Sequence, residues 1–366
     1  MTDIAGAQLP QFRPLTVPAS MDAADAAEFA EYTRVRNEIA RELTGRDDDT
    51  LAAAELLPHY QPNSEQIRHA WAVYRDDRQI GRITVDIPLE DGSRGAFWLI
   101  ELLRQHWGQG IGSAAYALVE QTAREHGRTV LQSWGAHPDE TDGGARVSAP
   151  TGYGSIPEDH IARFYLRHGY TLEQVERESA LDLAASVDTV ARLRAEAERA
   201  AAGYRIVQWT APTPPEYVAG YAWMKSRMST DTPMGALEFD EEAWDAERVA
   251  LHDARVVDGA RTMLVTAAQH VATGDLVAFN ELVIGPDPHR ASQQEDTLVL
   301  KEHRGHRLGQ LVKCAGLETW RTRVAPDSPR VITYNAEENR PMLDINERIG
   351  FVPVAYNGAW QKTLES

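Results

Sequence analysis

The chain has 366 residues, of which 43% are hydrophobic and 25% charged, and its formal net charge is −18. This length predicts about two or three domains, and the composition is ordinary for a globular protein. The acidic balance argues against a nucleic-acid partner, because phosphate binding needs a basic surface. It is compatible with a cationic substrate, or with an acidic surface that only keeps the protein soluble.

No stretch approaches the roughly 20 apolar residues of a membrane helix, so a membrane partner is not expected. The segment Met1–Ile4 lacks a basic region followed by an apolar one, and secretion is therefore not indicated. Cys314 is the only cysteine, which excludes an intramolecular disulfide and fits a reducing compartment. We expect a cytoplasmic monomer or homodimer.

The first half begins with a short strand, an amphipathic helix and three further strands, predicted near residues 12–17, 22–44, 69–74, 81–87 and 96–103. A glycine-rich turn, Gly108–Gly112, then opens a helix that stops at Gly127. A strand at Thr129–Ser133, a polar loop, a helix at Glu158–His168 and a strand near Glu176–Asp182 complete the half.

The second half repeats this order. Asp188–Ala202 is rich in Ala, Arg and Glu and is typical of a solvated connecting helix. Strand signals and helical stretches follow, and a basic turn, Arg304–Gly309, opens another helix. The strands of this half are predicted at 204–209, 262–266, 276–283, 297–300 and 330–334, and a last helix ends at Gly350-Phe351.

The repeated order of strand, turn, helix, strand and helix indicates an α/β fold with helix-covered sheets in two arms. We place the first arm at 1–184, the connecting helix at 185–202 and the second arm at 203–366.

Both turns have the character of a diphosphate-binding loop. A strand enters, glycines allow a sharp turn, and the amides at the start of a helix point outward at its positive end. The spacing is not that of a dinucleotide-binding loop, and no Gly-Lys-Ser/Thr follows as in a nucleotide-triphosphate loop. A strand-to-helix turn without a ligand is the alternative for either turn alone.

The first turn, with Trp107, Gly110 and Gly112, resembles the acetyl-CoA loop of the GNAT superfamily. The second has the family's Arg at Arg304, and Arg307 replaces the first key glycine. The resemblance implies two tandem GNAT folds, each a mixed, mostly antiparallel sheet with a splayed central strand pair, and acetyl-CoA as co-substrate. It assigns coenzyme contacts to Ile100, Leu102, Gly108, Gln109, Gly110, Ile111, Gly112, Ser113, Thr297, Leu298, Val299, Arg304, Gly305, His306, Arg307, Leu308, Gly309, Gln310, Asn335 and Asn339.

The family closes each arm with a helix that ends in Gly-Phe or Gly-Tyr and carries a Tyr that protonates the CoA thiolate. Tyr165, before Gly169-Tyr170, matches that donor, although a half-buried core aromatic is an equal reading. Asn346 stands at the donor position of the second arm. Asn339 matches a coenzyme-contacting Asn, and could equally be a helix N-cap with Pro341 in the first turn.

Acetyl transfer by direct attack also needs a group that takes a proton from the amine. Glu101 and Glu281 are the candidates, each alternatively a solvent-facing strand residue. Cys314 lies in a helix pattern and is expected to be a small core residue rather than a nucleophile. His303 and His306 are too few for a metal site, so no metal is predicted.

Several motifs, among them Met228–Pro233 and Thr333–Glu337, resemble actinobacterial tandem GNAT proteins, which are related to mycothiol synthase. The resemblance implies an N-acetyltransferase acting on a small-molecule amine. The acidic charge favours a small cationic metabolite or antibiotic, hence a resistance role. A biosynthetic amine, as in mycothiol synthase, a peptide amine, or a non-catalytic acyl-CoA sensor are the alternatives.

Overall fold

A computed structural model describes residues 9–138, 144–231, 233–238 and 242–365. The predicted N-terminal features at Met1–Ile4, and Thr232 within the Met228–Pro233 motif, lie outside the described residues. Among the described helices, none combines the length and apolar character that crossing a bilayer requires.

The elements alternate along the chain as the sequence predicts. Strands β1–β7 span Gln11–Pro14, Gln66–Arg75, Arg78–Pro88, Gly95–Leu102, Val130–Pro138, Arg146–Ser148 and Ser155–Pro157. Strands β8–β14 span Thr171–Asp182, Tyr204–Thr210, Thr262–His270, Leu276–Ile284, Ser292–Val299, Arg330–Ala336 and Val352–Thr363. Helices α1–α9 span Ala26–Thr44, Ala53–Leu56, Ile111–Glu125, His160–Arg167, Val187–Ala200, Pro215–Asp231, Ala246–Asp258, Leu308–Thr319 and Arg340–Ile349.

The chain forms two compact units. The first contains the described residues up to Gly135, together with Phe164–Thr171 and the chain from Ala359 onward. The second contains the described residues of Ala136–Arg163 and Leu172–Gly358. The boundaries of the two predicted arms stay a prediction.

The first unit is built on antiparallel pairs β1–β2, β2–β3 and β3–β4, followed by a parallel pair β4–β5. Helix α1 packs one apolar face here, with Phe29 and Tyr32 against Tyr60 and Ala72. The mixed, mostly antiparallel arrangement is the one that the sequence predicts.

The second unit repeats the pattern with antiparallel pairs β9–β10, β10–β11 and β11–β12 and a parallel pair β12–β13. Alternate residues of the buried strand β11 face opposite sides. Phe279 and Val283 join the cluster formed with α6 and α7, whereas Ala278 and Leu282 belong to clusters that include α5 and α8.

Four details differ from the sequence-based expectations. Helix α5 is not a solvated connector, because Val190, Leu193 and Ala197 are buried and Gln310 donates a hydrogen bond to the Leu193 carbonyl. Its apolar stripe is narrow, and the abundant Arg and Glu residues around it make the sequence resemble that of a solvent-exposed helix. Strand β12 begins at Ser292, earlier than predicted, because its first half is polar although buried on one face. The loop after β5 contains the hairpin β6–β7, and the last strand, β14, was not predicted.

Candidate active site

The first unit holds the glycine turn between β4 and α3. Gly108 and Gly110 have φ angles of +70° and +81°, which an L side chain adopts only with strain. The amide of Ala114 makes the first helical bond, to the Gly110 carbonyl at 3.1 Å. The amides of the preceding residues therefore have no partner inside α3 and lie at its positive end, where an anion is stabilised.

The second unit has a turn of the same form between β12 and α8. Gly305 has φ +89°, and Arg307, immediately before the helix, has φ +55°. The amide of Leu311 bonds to the Arg307 carbonyl at 2.9 Å. Arg307 thus adopts the left-handed conformation of Gly110, and its guanidinium pairs with Glu196 rather than lying free for phosphate.

Each unit contains the splayed strand pair that the fold prediction requires. The parallel register of β4 and β5 runs only from Gly95↔Val130 to Phe97↔Gln132. That of β12 and β13 runs only from Ser292↔Val331 to Gln294↔Thr333. Beyond these residues the backbone edge of each fourth strand is open to an extended ligand.

The two splayed pairs differ in one respect. Strands β3 and β4 pair in regular register, whereas the register of β11 and β12 shifts between Asn280 and Leu282. Such a bulge increases local twist and bends the strand. The strand edge of the second unit is therefore the more strongly bent of the two.

A cleft of about 340 Å³ lies in the second unit at this strand edge. It combines the end of β12, the basic turn and the start of α9. Nine of the predicted coenzyme contacts line it: Thr297, Leu298, Val299, Arg304, Gly305, Arg307, Leu308, Gly309 and Asn339. Asp231, Pro233, Pro341, Met342 and Ile345 complete the lining.

Three predicted contacts of this unit do not line the cleft. His306 packs on the Tyr204 ring, with centroids 5.3 Å apart. Gln310 is buried and bonds to Leu193 and Arg348, and Asn335 accepts a 2.7 Å hydrogen bond from Asn346. Asn339 occupies the N-cap position of α9, but its side chain makes no capping hydrogen bond.

In the first unit, Tyr165 lies at the point where the strands part. Its hydroxyl shares a 2.7 Å hydrogen bond with Ser133, the first β5 residue beyond the parallel register. The ring stacks on Trp360 at 4.9 Å and is 6% exposed. Burial raises the pKa of the phenol, so the group is protonated at neutral pH.

A different cleft of the first unit, about 1090 Å³, lies beside the glycine turn and has Gln109 as its one predicted coenzyme contact. Charged residues of α1 and of the β2–β3 turn make up half of its lining. The remaining predicted contacts of this unit lie along β4, in the glycine turn and in the first turn of α3.

Glu101 and Glu281 are both held by cations rather than facing open solvent. Glu101 accepts a 2.6 Å hydrogen bond from the buried Arg82. Glu281 is fully buried, accepts a hydrogen bond from Tyr221, and lies 3.3 Å from Lys225. Burial raises the pKa of the Glu281 carboxyl.

Lys225 also pairs with Asp296, whose carboxylate, unlike that of Glu281, reaches solvent. The sequence analysis did not identify this residue. Its Oδ2 lies 2.5 Å from Lys225 Nζ, and 36% of its side chain is exposed. Asp296 directly precedes the cleft residue Thr297, and strand alternation directs the two to opposite faces. An acidic residue next to a predicted contact strand was the available signal.

Side chains of the types that bind metal ions also lie close together near Glu281. Within the part of the chain that the structure describes, His252, Glu281 and Glu295 form the one such group, with all ligand atoms within 4.8 Å of one another. Lys225 already supplies a positive charge to Glu281. The group comes from three separate elements, which is why no motif revealed it.

Comparison with known proteins agrees with this geometry. Residues 32–143 match the Acetyltransferase (GNAT) family. The chain carries a GNAT acetyltransferase domain. Acyl transfer is the chemistry of that family. Comparison with curated protein sequences finds no significant match.

The whole chain has a tandem GNAT fold. It is similar to a tandem GNAT protein from the clavulanic acid biosynthesis pathway, with a TM-score of 0.73 and 24% identity, covering 98% of this chain and 99% of that one. It is also similar to a GCN5-related N-acetyltransferase from Sphaerobacter thermophilus, with a TM-score of 0.59 and 13% identity over 98% and 96% of the two chains. The predicted repeat of the GNAT fold is therefore confirmed.

Proposed function

We propose that the protein transfers an acetyl group from acetyl-CoA to a primary amine of a small, cationic molecule. The observation that carries this proposal is the cleft of the second unit, where nine predicted contacts, from Thr297 to Asn339, line one space. Residues distant in sequence share that lining only because the splayed strand, the basic turn and α9 meet there.

The donor set fits coenzyme A. Unpaired amides at the starts of α3 and α8 suit its diphosphate. The edge of β12 from Thr297 to Val299, which lies beyond the register with β13, suits the amides of its pantetheine arm, which would pair with the strand backbone. Arg304 Nε bonds to the Val299 carbonyl at 3.2 Å, which holds its cationic group beside the turn.

Transfer itself would be a direct attack. The amine nitrogen attacks the thioester carbon, the C–S bond breaks, and the sulfur leaves as a thiolate that takes up a proton. In the first unit we propose Tyr165 as the donor of that proton, which its hydroxyl at the parting of the strands supports. In the second, Asn346 cannot. We propose that Asp296, whose carboxylate is partly exposed whereas Glu281 is fully buried, takes the proton of the amine from the strand face opposite the Thr297 side chain.

The substrate class rests on charge. The chain carries a formal net charge of −18, and partly exposed carboxylates of Glu242, Glu295 and Asp296 lie in the second unit. Such a surface attracts cations and raises their local concentration. We therefore propose a polycationic metabolite or antibiotic as the first substrate class. The protein would then be a cytoplasmic resistance enzyme. A biosynthetic amine, as for mycothiol synthase, is the second.

A matched pair of glycines tests coenzyme binding. Gly108 and Gly305 both have positive φ angles, and a Cβ at either would meet nothing within 4 Å. Gly108→Val and Gly305→Val should each strain one turn without filling space. Calorimetric titration with CoA should show that Gly305→Val loses uptake in the second unit. Unchanged uptake in both variants would overturn the proposal.

A thiol-release assay tests catalysis. Acetyl-CoA should be consumed faster with a polyamine or aminoglycoside than with an amino sugar or a peptide N-terminus. Asp296→Asn should reduce turnover without weakening CoA binding. Tight CoA binding with no turnover on any amine would instead favour an acyl-CoA sensor.

A further inference from the structure

Lysine is rare in this chain, and one lysine differs from the others. The chain contains four lysines. Lys225 pairs with Asp296 and Glu281, Lys301 with Asp231, and Lys362 with Glu120. Lys313 is fully buried, and its Nζ has no hydrogen-bond partner in the described part of the chain. A buried ammonium without a partner is strongly disfavoured, so the amine is neutral.

Neighbours on the same stripe of α8 fix where Lys313 lies. Positions 309, 313, 316 and 320 are three or four residues apart and share one helix face. A Cβ at Gly309 would meet Val299 at 3.5 Å, at the end of β12, and Trp320 donates a 2.8 Å hydrogen bond to Ser292, at its start. A Cβ at Gly316, on the same face, would meet Asn280 Oδ1 on β11 at 3.3 Å, and Asn280 donates a hydrogen bond to Thr297. Lys313 therefore lies on this face between Gly309, beside the end of β12, and Gly316, beside Asn280. Thr297 lies beyond Gln294, the last β12 residue in register with β13.

Unsatisfied acceptors occur at the same place. The amide nitrogens of Asn280, Gln294 and Asn346 bond to Thr297, Thr333 and Asn335. Their amide oxygens are buried and, among the described residues, have no partner. Buried polar groups of this kind usually bond to a ligand or an ordered water. The region where β12 and β13 separate is thus lined by polar groups that have no bonding partner among the described residues. Lys313 lies one helical turn after the cleft residue Gly309.

We infer that Lys313 accepts an acetyl group from acetyl-CoA bound in the cleft of the second unit. The inference rests on the proposed function, because it needs the coenzyme in that cleft. Lys313 Nζ attacks the thioester carbon, the C–S bond breaks, and the proton lost by nitrogen passes to the departing thiolate. The products are Nε-acetyl-lysine and free CoA, with no further reactant.

Burial supports the chemistry, since it lowers the pKa of Lys313 to about 7. The adjacent Cys314 does not compete, because burial raises the pKa of its thiol to about 12. Lys225, equally buried but ion-paired, has a raised pKa and stays charged. The resulting amide does not transfer its acetyl group onward, so each chain takes up one acetyl group at this position.

The test uses the full chain, incubated with acetyl-CoA and digested for peptide mass spectrometry. With four lysines, each acetyl group can be assigned. Lys313 should be acetylated more than about tenfold above Lys225, the matched buried control, and above the exposed Lys301. Lys313→Arg should lose the modification, and Cys314→Ser should keep it.

Calorimetry on the same samples distinguishes a failure of the Lys313 inference from a failure of the proposed function. An unmodified Lys313 in protein that takes up CoA in the second unit, with uptake lost in Gly305→Val, would overturn the inference and leave the proposed function standing. Absence of uptake in that unit would overturn both. Equal labelling of all four lysines, in folded and in urea-unfolded protein, would show ordinary chemical acetylation and would also overturn the inference.

Discussion

Gly110 and Arg307 hold the same left-handed backbone conformation, each as the residue immediately before a helix. Glycine adopts it freely, whereas a residue with a Cβ loses roughly 1–2 kcal/mol there. Arg307→Gly should relieve that strain but lose the exposed ion pair with Glu196, which is worth about 0–1 kcal/mol. We expect urea unfolding to show a net gain of about 1 kcal/mol or less. Gly110→Arg, the reverse change, should be destabilising, and a gain in stability from it would contradict the account.

We expect the Asn339 side chain to contribute to coenzyme binding and not to the free energy of unfolding. Its side chain lines the cleft without capping α9, whereas Asp245 accepts a 2.9 Å capping bond from the Arg248 amide. Asp245→Ala should therefore lose about 1 kcal/mol, the usual value of such a cap, and Asn339→Ala much less. Calorimetry should show weaker CoA binding only for Asn339→Ala. An equal loss of stability in both would mean that Asn339 acts as a cap after all.

Tyr165→Phe removes one hydroxyl from the first unit. Loss of its bond to Ser133 should lower stability by about 1 kcal/mol. If this unit is catalytic, turnover should fall on the order of a hundredfold, because the thiolate loses its proton donor. Coenzyme affinity should be unchanged by titration. Ser133→Ala is the control, since it breaks the same bond and keeps the phenol.

Lys225 compensates a buried carboxylate. Lys225→Met would leave Glu281 without its cation, and breaking a buried pair in this way costs roughly 3–5 kcal/mol. Lys301→Met is the matched surface change. The Lys301 side chain is 55% exposed, and Asp231 keeps Arg227 as a second partner, so we expect a loss below about 1 kcal/mol. Denaturant midpoints compare the two, and similar losses would contradict a buried network.

Lys313 makes stability depend on pH. Its folded pKa, about 7, lies below the ordinary value of 10.5, so between these values the unfolded chain binds a proton that the folded chain does not. Stability should then rise with pH by up to about 1.4 kcal/mol per unit in that window. Below it both states are protonated and the burial cost is complete. Lys313→Met should be more stable than the parent near pH 6, with the difference shrinking towards pH 10. A constant difference would argue for a partnered lysine.

Local patterns were enough to predict the turns, whereas the splayed strands were expected only from the resemblance to the GNAT superfamily. Glycines at 108, 110 and 305, with an apolar strand before and an amphipathic helix after, constrain the backbone within a few residues. The buried cluster around Lys225 was not predictable in this way. Tyr221, Lys225, Glu281 and Asp296 lie on three elements, and only tertiary packing brings them together.

The sequence analysis missed the burial of helix α5 and the presence of strand β14 for different reasons. Three apolar residues of α5 are outnumbered by charged ones, so composition suggested solvent exposure although Leu193 is fully buried. Strand β14 follows a helix whose Gly350-Phe351 ending looked like the close of the arm. Its partly exposed residues give only weak alternation.

The first unit includes the chain from Ala359 onward, and Trp360 supplies the ring stacked on Tyr165. During synthesis on the ribosome, that ring emerges after the residues of the second unit, which end at Gly358. The interior of the first unit is therefore completed only after the second unit has been translated, although most of the first unit is translated before it. Stop codons or proteolysis that remove the residues from Ala359 onward should consequently destabilise the first unit, most of which lies at the start of the sequence.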